Sequence, residues 1–249
     1  MPSESPVYLL IGGGGGQGRA VARRLAKRES HIVFASRDGD RVREAASEIG
    51  GEARTLDATD FGAVESLVSD IFETQGRLDG VANLAGSILI KPPHMVSEAE
   101  FEQTIGLNAR TAFATVRAAA RPMGKQGRGS IVLMSSCAAR TGLMNHEVIA
   151  AAKGAVIGLT QSAAATYAAS GVRVNCVAPG LVDTPMAERL TKSDAARKAS
   201  ESMHALGRLG QPEDVAPAIE WLLTNDSSWV TGQTVGVDGG LAAIKGTGK

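Results

Sequence analysis

Val7-Tyr-Leu-Leu-Ile11, followed by Gly12-Gly-Gly-Gly-Gly16, Gln17 and Gly18, is the stretch that decides the fold. The apolar run predicts a buried strand, and the glycines predict a tight turn. A helix then leaves near Gln17 with Ala20, Val21, Leu25 and Ala26 on one face, the spacing that packs a helix against a sheet. A flexible linker is the competing reading of a glycine run, but a linker does not ordinarily join an apolar strand to an apolar-faced helix. Bare backbone at the start of a helix lets an anion approach main-chain N–H groups, where the helix dipole also favours negative charge. Strand, glycine turn and helix in that order predict a cradle for the pyrophosphate of a dinucleotide.

Working outward, apolar strands and amphipathic helices alternate. His31 to Ser36 reads as a strand buried on both faces, and Arg41 to Ile49 as a helix. Glu52 to Ala58 reads as a strand ending near Asp57; Asp60 caps a helix to about Gln75 with Val64, Leu67, Val68 and Ile71 inward. Leu78 to Gly86 predicts a central strand, Ser97 to Ala120 one long helix containing Asn108, Ser130 to Ser136 a strand and Val148 to Ala169 a helix. Val172 to Val177, Pro212 to Leu223 and Thr234 to Val237 predict strand, helix and strand, and Pro185 to His204 a flexible helical segment. This is the rhythm of an α/β fold: a doubly wound, parallel, seven-stranded sheet in a three-layer αβα arrangement, one domain over residues 1–249 with no internal repeat.

Composition bounds the function. The 249 residues include 43% hydrophobic residues and 30 glycines, enough for one large core. Charge is balanced at 26 basic and 26 acidic residues, which gives no field to attract nucleic acid or a membrane surface. Cys137 and Cys176 sit in apolar segments without metal-ligand neighbours and read as reduced, buried thiols; no metal is expected. Met1 to Pro6 has neither a basic start nor an apolar signal core, and no apolar run reaches 18 residues, so the expectation is a soluble, cytoplasmic protein with no membrane partner. Pro2 to Ser5 and Lys245 to Lys249 read as frayed ends.

The residues after the second strand bear on cofactor choice. An acidic side chain there would bind a ribose 2′-hydroxyl, whereas Arg beside a small residue accommodates a 2′-phosphate. Ser36 and Arg37 favour NADP(H) over NAD(H); Asp38 and the lack of a basic residue among Gly13 to Gly15 weigh the other way.

Several further motifs carry a resemblance. Gly12, Gly16 and Gly18 form G-x-x-x-G-x-G; Asn83-Leu-Ala-Gly86 closes the central strand; Val172-Arg-Val-Asn-Cys-Val-Ala-Pro-Gly180 precedes Thr184-Pro185. Gly207-Arg-Leu-Gly-Gln-Pro-Glu-Asp-Val215 and Thr231-Gly-Gln-Thr-Val-Gly-Val-Asp-Gly-Gly240 follow. In these the chain resembles the single-domain branch of the short-chain dehydrogenase/reductase family along nearly its whole length. The resemblance implies a homo-oligomer, tetramer or dimer, acting on a small-molecule carbonyl or alcohol. It implies a nicotinamide cofactor held by Gly12, Gly16, Gln17, Gly18, Ser36, Arg37, Asp57, Ala58, Asn83, Ala85, Gly86, Lys153, Pro179, Gly180, Val182 and Thr184. Asn83 has a structural role first, since a buried Asn must find hydrogen-bond partners.

The family works through Asn, Ser, Tyr and Lys. Asn108, Ser136 and Lys153 match three of these positions, Ser136 rather than Ser135 because it lies thirteen residues before the tyrosine position. That position holds Ile149, four residues before Lys153. Tyr8 lies in the first strand, and Tyr167 is fourteen residues beyond Lys153, about 20 Å along a helix. Three accounts follow: His146 or Glu147 supplies the proton, Lys153 or a water chain from Asn108 does, or the protein binds cofactor without turnover. A non-redox lyase or isomerase in the same pocket is a further reading. Ser87 to Val96, Ala138 to Glu147 and Pro185 to His204 are the loops expected to line the substrate pocket, with Met95, Met144, Met186 and Met203 as an adaptable apolar lining.

Overall fold

The computed structural model describes residues 5–244, so the expected fraying at residues 2–4 and 245–249 lies outside the described residues. Seven parallel strands, β1 (Val7–Ile11), β2 (His31–Ser36), β3 (Glu52–Thr55), β4 (Gly80–Asn83), β5 (Gly129–Met134), β6 (Val172–Pro179) and β7 (Thr234–Val237), form one sheet in the order β3-β2-β1-β4-β5-β6-β7. The order reverses between β1 and β4, and a crevice opens there at the carboxyl ends of the strands.

Strand alternation divides the core in two. Val7, Leu9 and Ile11 of β1 face α3 (Phe61–Gln75), α5 (Thr111–Gln126) and α6 (Glu147–Tyr167), while Tyr8 and Leu10 face α1 (Gly16–Ala26), α2 (Gly39–Ser47) and α8 (Pro212–Leu223). Each face buries aliphatic side chains, and all five β1 residues are buried. Burial also pushes the Tyr8 phenol up to about 12 and keeps it protonated, far from the crevice chemistry.

The long helix expected over 97–120 is not uniform. α4 (Glu98–Ile105), opened by the reciprocal cap of Ser97 and Glu100, passes into a π-turn, Gly106–Arg110, before α5. The wider turn sets Thr111 N–H on the carbonyl of Gly106, five residues back, and puts Asn108 on its inner side. Periodicity counted at 3.6 residues could not register the extra residue. Strands β3 and β5 stop earlier than expected, leaving Asp57 and Ser136 in the loops after them. Residues 185–204 contain one full helix, α7 (Asp194–Met203).

Residues 147–170, although interrupted by Lys153 and other polar residues, form a helix long and apolar enough, with a mean hydropathy of 1.3, to cross a membrane by length and composition alone. Alanine supplies much of that hydropathy. In the fold, the helix packs on β6 and α5 and buries Ile149, Ala152, Val156, Ala163 and Ala164.

Candidate active site

The glycine turn owes its shape to close approach. Gly12 has φ +80°, and a Cβ there would lie 2.7 Å from the Ala85 nitrogen; a Cβ on Gly18 would overlap Gly13. The turn is held by Gly12 N–H to Ala35 O at 2.7 Å and Gly15 N–H to Gly12 O at 3.2 Å. α1 then begins without a side-chain cap at Gly15 and without an acidic residue in its first turn. By contrast, Asp38 and Asp60 cap α2 and α3. An uncapped helix start bordered by bare glycine is a site whose N–H groups and dipole favour an anion. The residues here therefore fit a dinucleotide pyrophosphate.

This helix start lines a cleft of about 990 Å³. Along its length the structure brings together Gly12, Gly16, Gln17, Gly18, Ser36, Arg37, Asp57, Ala58, Ala85, Gly86, Asn108, Ser136, His146, Lys153, Pro179, Gly180, Val182 and Thr184. Asn83 does not reach the wall. Its side chain is buried and its Oδ1 accepts from Ala85 N–H at 3.0 Å, so it shapes the turn beneath the cleft. This is the structural role expected of a buried Asn.

At the β2 end, Asp38 is committed elsewhere: its carboxylate accepts from Arg41 N–H at 3.1 Å and pairs with Arg41 Nε at 3.3 Å. Ser36 Oγ donates to the Asp38 carbonyl at 3.1 Å, and Arg37 is exposed at the cleft rim. Arg41, in the first turn of α2, lines the same end and was not singled out from the sequence. Asp57 holds the next loop by accepting from Thr59 N–H at 2.9 Å and Thr59 Oγ1 at 2.7 Å, and these bonds draw its carboxyl below the usual range.

At the other end three polar side chains converge. Asn108 is buried; its Nδ2 donates to Thr104 O at 2.8 Å and Ser87 Oγ at 3.1 Å, and its Oδ1 accepts from Ser87 N–H at 3.3 Å. Ser87 was not singled out from the sequence. Gly86 is wedged against two of these groups: a Cβ there would lie 2.8 Å from Asn108 Oδ1 and 3.4 Å from Lys153 Nζ. Lys153 is buried and donates from Nζ to the Met134 carbonyl at 2.8 Å, and burial pulls its ammonium down to about 8.

The two serines separate cleanly. Ser135 Oγ donates to the Lys153 carbonyl at 2.9 Å, which fixes α6 to the sheet. Ser136 Oγ accepts from Ala138 N–H at 3.2 Å and donates only a long bond, 4.0 Å, to Cys137 Sγ, a weak acceptor that a ligand oxygen can replace. The separation arises because β5 ends at Met134, so strand alternation does not govern Ser136.

Ile149 is 4% exposed and stands in the wall one turn before Lys153. His146 immediately precedes α6, half-buried at the rim, with Nδ1 on the Met144 carbonyl at 2.8 Å. That carbonyl only accepts, so Nδ1 carries the proton and Nε2 is left to exchange one. Glu147 is exposed and does not line the cleft. Met186 and Met203 line it; Met95 and Met144, expected there too, do not. Among the described residues no group of three or more His, Cys, Asp or Glu is arranged to hold a metal ion.

A family model described as enoyl-(acyl carrier protein) reductase matches residues 14–242. The chain is 32% identical to the 3-oxoacyl-[acyl-carrier-protein] reductase FabG of Thermotoga maritima, with 97% of this chain and 99% of that protein covered. A solved short-chain type dehydrogenase/reductase from Mycobacterium ulcerans superposes with a TM-score of 0.90 at 33% identity, covering 99% of this chain and 93% of that one. The chain belongs to the short-chain dehydrogenase/reductase family. A further solved member, ElxO with NADP bound, matches at a TM-score of 0.89 and 29% identity over 96% of this chain and all of that one. Curated relatives of this oxidoreductase family are named reductases and dehydrogenases, and the chain is an enzyme of that kind.

Proposed function

We propose that the chain is an NADP(H)-dependent oxidoreductase that interconverts a small-molecule ketone and alcohol with a proton donor other than a phenol. One observation carries the reading: the uncapped, acid-free start of α1 and the Ser136–Lys153 pair line a single continuous cleft. Arg37 and Arg41 at the β2 end, with Asp38 turned to its helix cap, support a 2′-phosphate over a free hydroxyl. The first turn of α1 and the Gly12–Gly18 backbone would hold the pyrophosphate, and Pro179, Gly180, Val182 and Thr184 would meet the nicotinamide end.

The nicotinamide, when bound, supplies or accepts the hydride. Ser136 Oγ donates to the carbonyl oxygen and orients it. Lys153 holds an ammonium near the ribose hydroxyls. In its doubly protonated form His146 gives the Nε2 proton to the developing alkoxide from the rim of α6 and is left as the neutral tautomer, with Nδ1–H still on Met144 O. Apolar Ile88, Ile90, Leu143, Met186 and Met203 around this end favour a substrate with an uncharged, apolar body. Assembly as a tetramer or dimer and a cytoplasmic location belong to the same reading, and the buried free thiols Cys137 and Cys176 suit a reducing compartment.

The test is transfer of deuterium from nicotinamide-deuterated NADPH to a panel of uncharged ketones, with His146→Ala beside the parent. Label in the alcohol, lost by at least about tenfold in rate on His146→Ala, supports the reading. Ile149 itself favours a second reading, a cofactor-binding protein with little turnover, because an aliphatic side chain transfers no proton. Under that reading the parent binds cofactor, transfers no label, and is indifferent to His146→Ala.

A further inference from the structure

α7 lies along the cleft, and Ala199 and Met203 line it, yet none of the helix's ten residues is buried. An amphipathic helix with no buried residue needs specific ties to keep its place. One is the ion pair of Arg197 with Asp183. The other is His204, the residue that ends the helix, which is 4% exposed.

The two ring nitrogens of His204 face partners of opposite kind. Nδ1 lies 2.8 Å from the Ser200 carbonyl, which only accepts, and Nε2 lies 3.1 Å from Leu181 N–H, which only donates. This pairing selects the neutral tautomer with its proton on Nδ1. The ring also lies close against the turn after β6: a Cβ on Gly180 would be 2.7 Å from Nε2. The same turn is tied to β7 by Gly180 N–H to Val237 O at 3.1 Å.

We propose that His204 is a positioning residue that locks α7 to the turn Pro179–Leu181, so that the wall facing the substrate and the turn facing the nicotinamide move as one piece. The assignment of that turn to the cofactor rests on the function proposed above; the lock itself does not. Through it, the imidazole sets where the Leu181 amide and the Gly180 backbone sit.

The experiment compares the parent with His204→Phe, which keeps an aromatic ring but offers no acceptor, and His204→Gln, whose Oε1 can accept from Leu181 N–H. Hydrogen exchange at Leu181 and across residues 194–203 is expected to speed up about tenfold or more in H204F and to stay near the parent in H204Q. The NADPH Kd is expected to rise roughly three- to tenfold in H204F and to recover in H204Q. Nitrogen chemical shifts of the parent imidazole should show the proton on Nδ1, a readout that needs no variant and so holds if H204F does not fold. Unchanged exchange in H204F, or a parent proton on Nε2, overturns the proposal. A parent that binds no NADPH defeats the cofactor reading alone, because exchange and tautomer still decide the lock.

Discussion

Ile149 and Lys153 stand one turn apart on the same face of α6, both buried in the wall of the cleft, and only Lys153 carries a proton that chemistry can use. A phenol at residue 149 would sit beside a desolvated ammonium, the environment that activates it as an acid. Ile149→Tyr should therefore raise carbonyl reduction by about 10²- to 10⁴-fold for substrates whose alkoxide is strongly basic. Steady-state rates on the same ketone panel check this; a variant that folds, binds cofactor and gains nothing means that proton delivery does not limit the parent.

The buried ammonium makes stability depend on pH. Lys153 titrates near 8 in the fold against an ordinary 10.5, so between these values the folded chain has released a proton that the unfolded chain still holds. Stability from this group therefore grows as pH rises from about 8 to 10.5 and is flat below 8, where both states are protonated and the burial cost is fully present. The rise is on the order of 3 kcal/mol. Urea unfolding of the parent and Lys153→Met at several pH values isolates it: the difference between the two curves should change across that window and not below it.

Cofactor choice should turn on the β2 end of the cleft. Arg37→Asp places an acceptor where the 2′-phosphate would sit, so NADPH affinity should fall at least about tenfold while NADH affinity holds or improves. Competitive fluorescence titration with both nucleotides measures the ratio; an unchanged ratio would remove Arg37 from the account.

Gly18 is fixed by space. A Cβ there would overlap the Gly13 carbonyl oxygen and sit 2.6 Å from its carbonyl carbon, so backbone must move. Gly18→Ala should cost about 1–3 kcal/mol, lower the midpoint of thermal melting by several degrees, and abolish cofactor binding by shifting the turn. Gly142→Ala, where nothing lies within 4 Å of the added carbon, is the matched control and should melt with the parent.

Much of the architecture was legible because its signals are periodic. β1, β2, α3, α8 and β7 fall within a residue or so of where alternation, caps and proline placed them, and the same glycines that broke the first strand marked the cleft. The π-turn at Asn108 was not legible, because one inserted residue leaves no mark in an apolar pattern. The structural role of Asn83 was legible from its burial, but its partner, the Ala85 amide, was not, because spacing does not specify it. His204 was hidden for a like reason: its partners are a carbonyl four residues back and an amide 23 residues back, and main-chain groups look alike in every sequence. The bond from Asp38 to the start of α2 was likewise not legible, although Asp38 still lines the cleft beside Arg37.

All of this depends on the acid-free start of α1 accepting a pyridine dinucleotide, and direct titration of purified protein with NADPH and NADH tests that best. The account predicts saturable enhancement of nicotinamide fluorescence, with NADPH half-saturating at or below roughly 100 μM and more tightly than NADH. Absence of saturable binding of either nucleotide up to about 1 mM would contradict it.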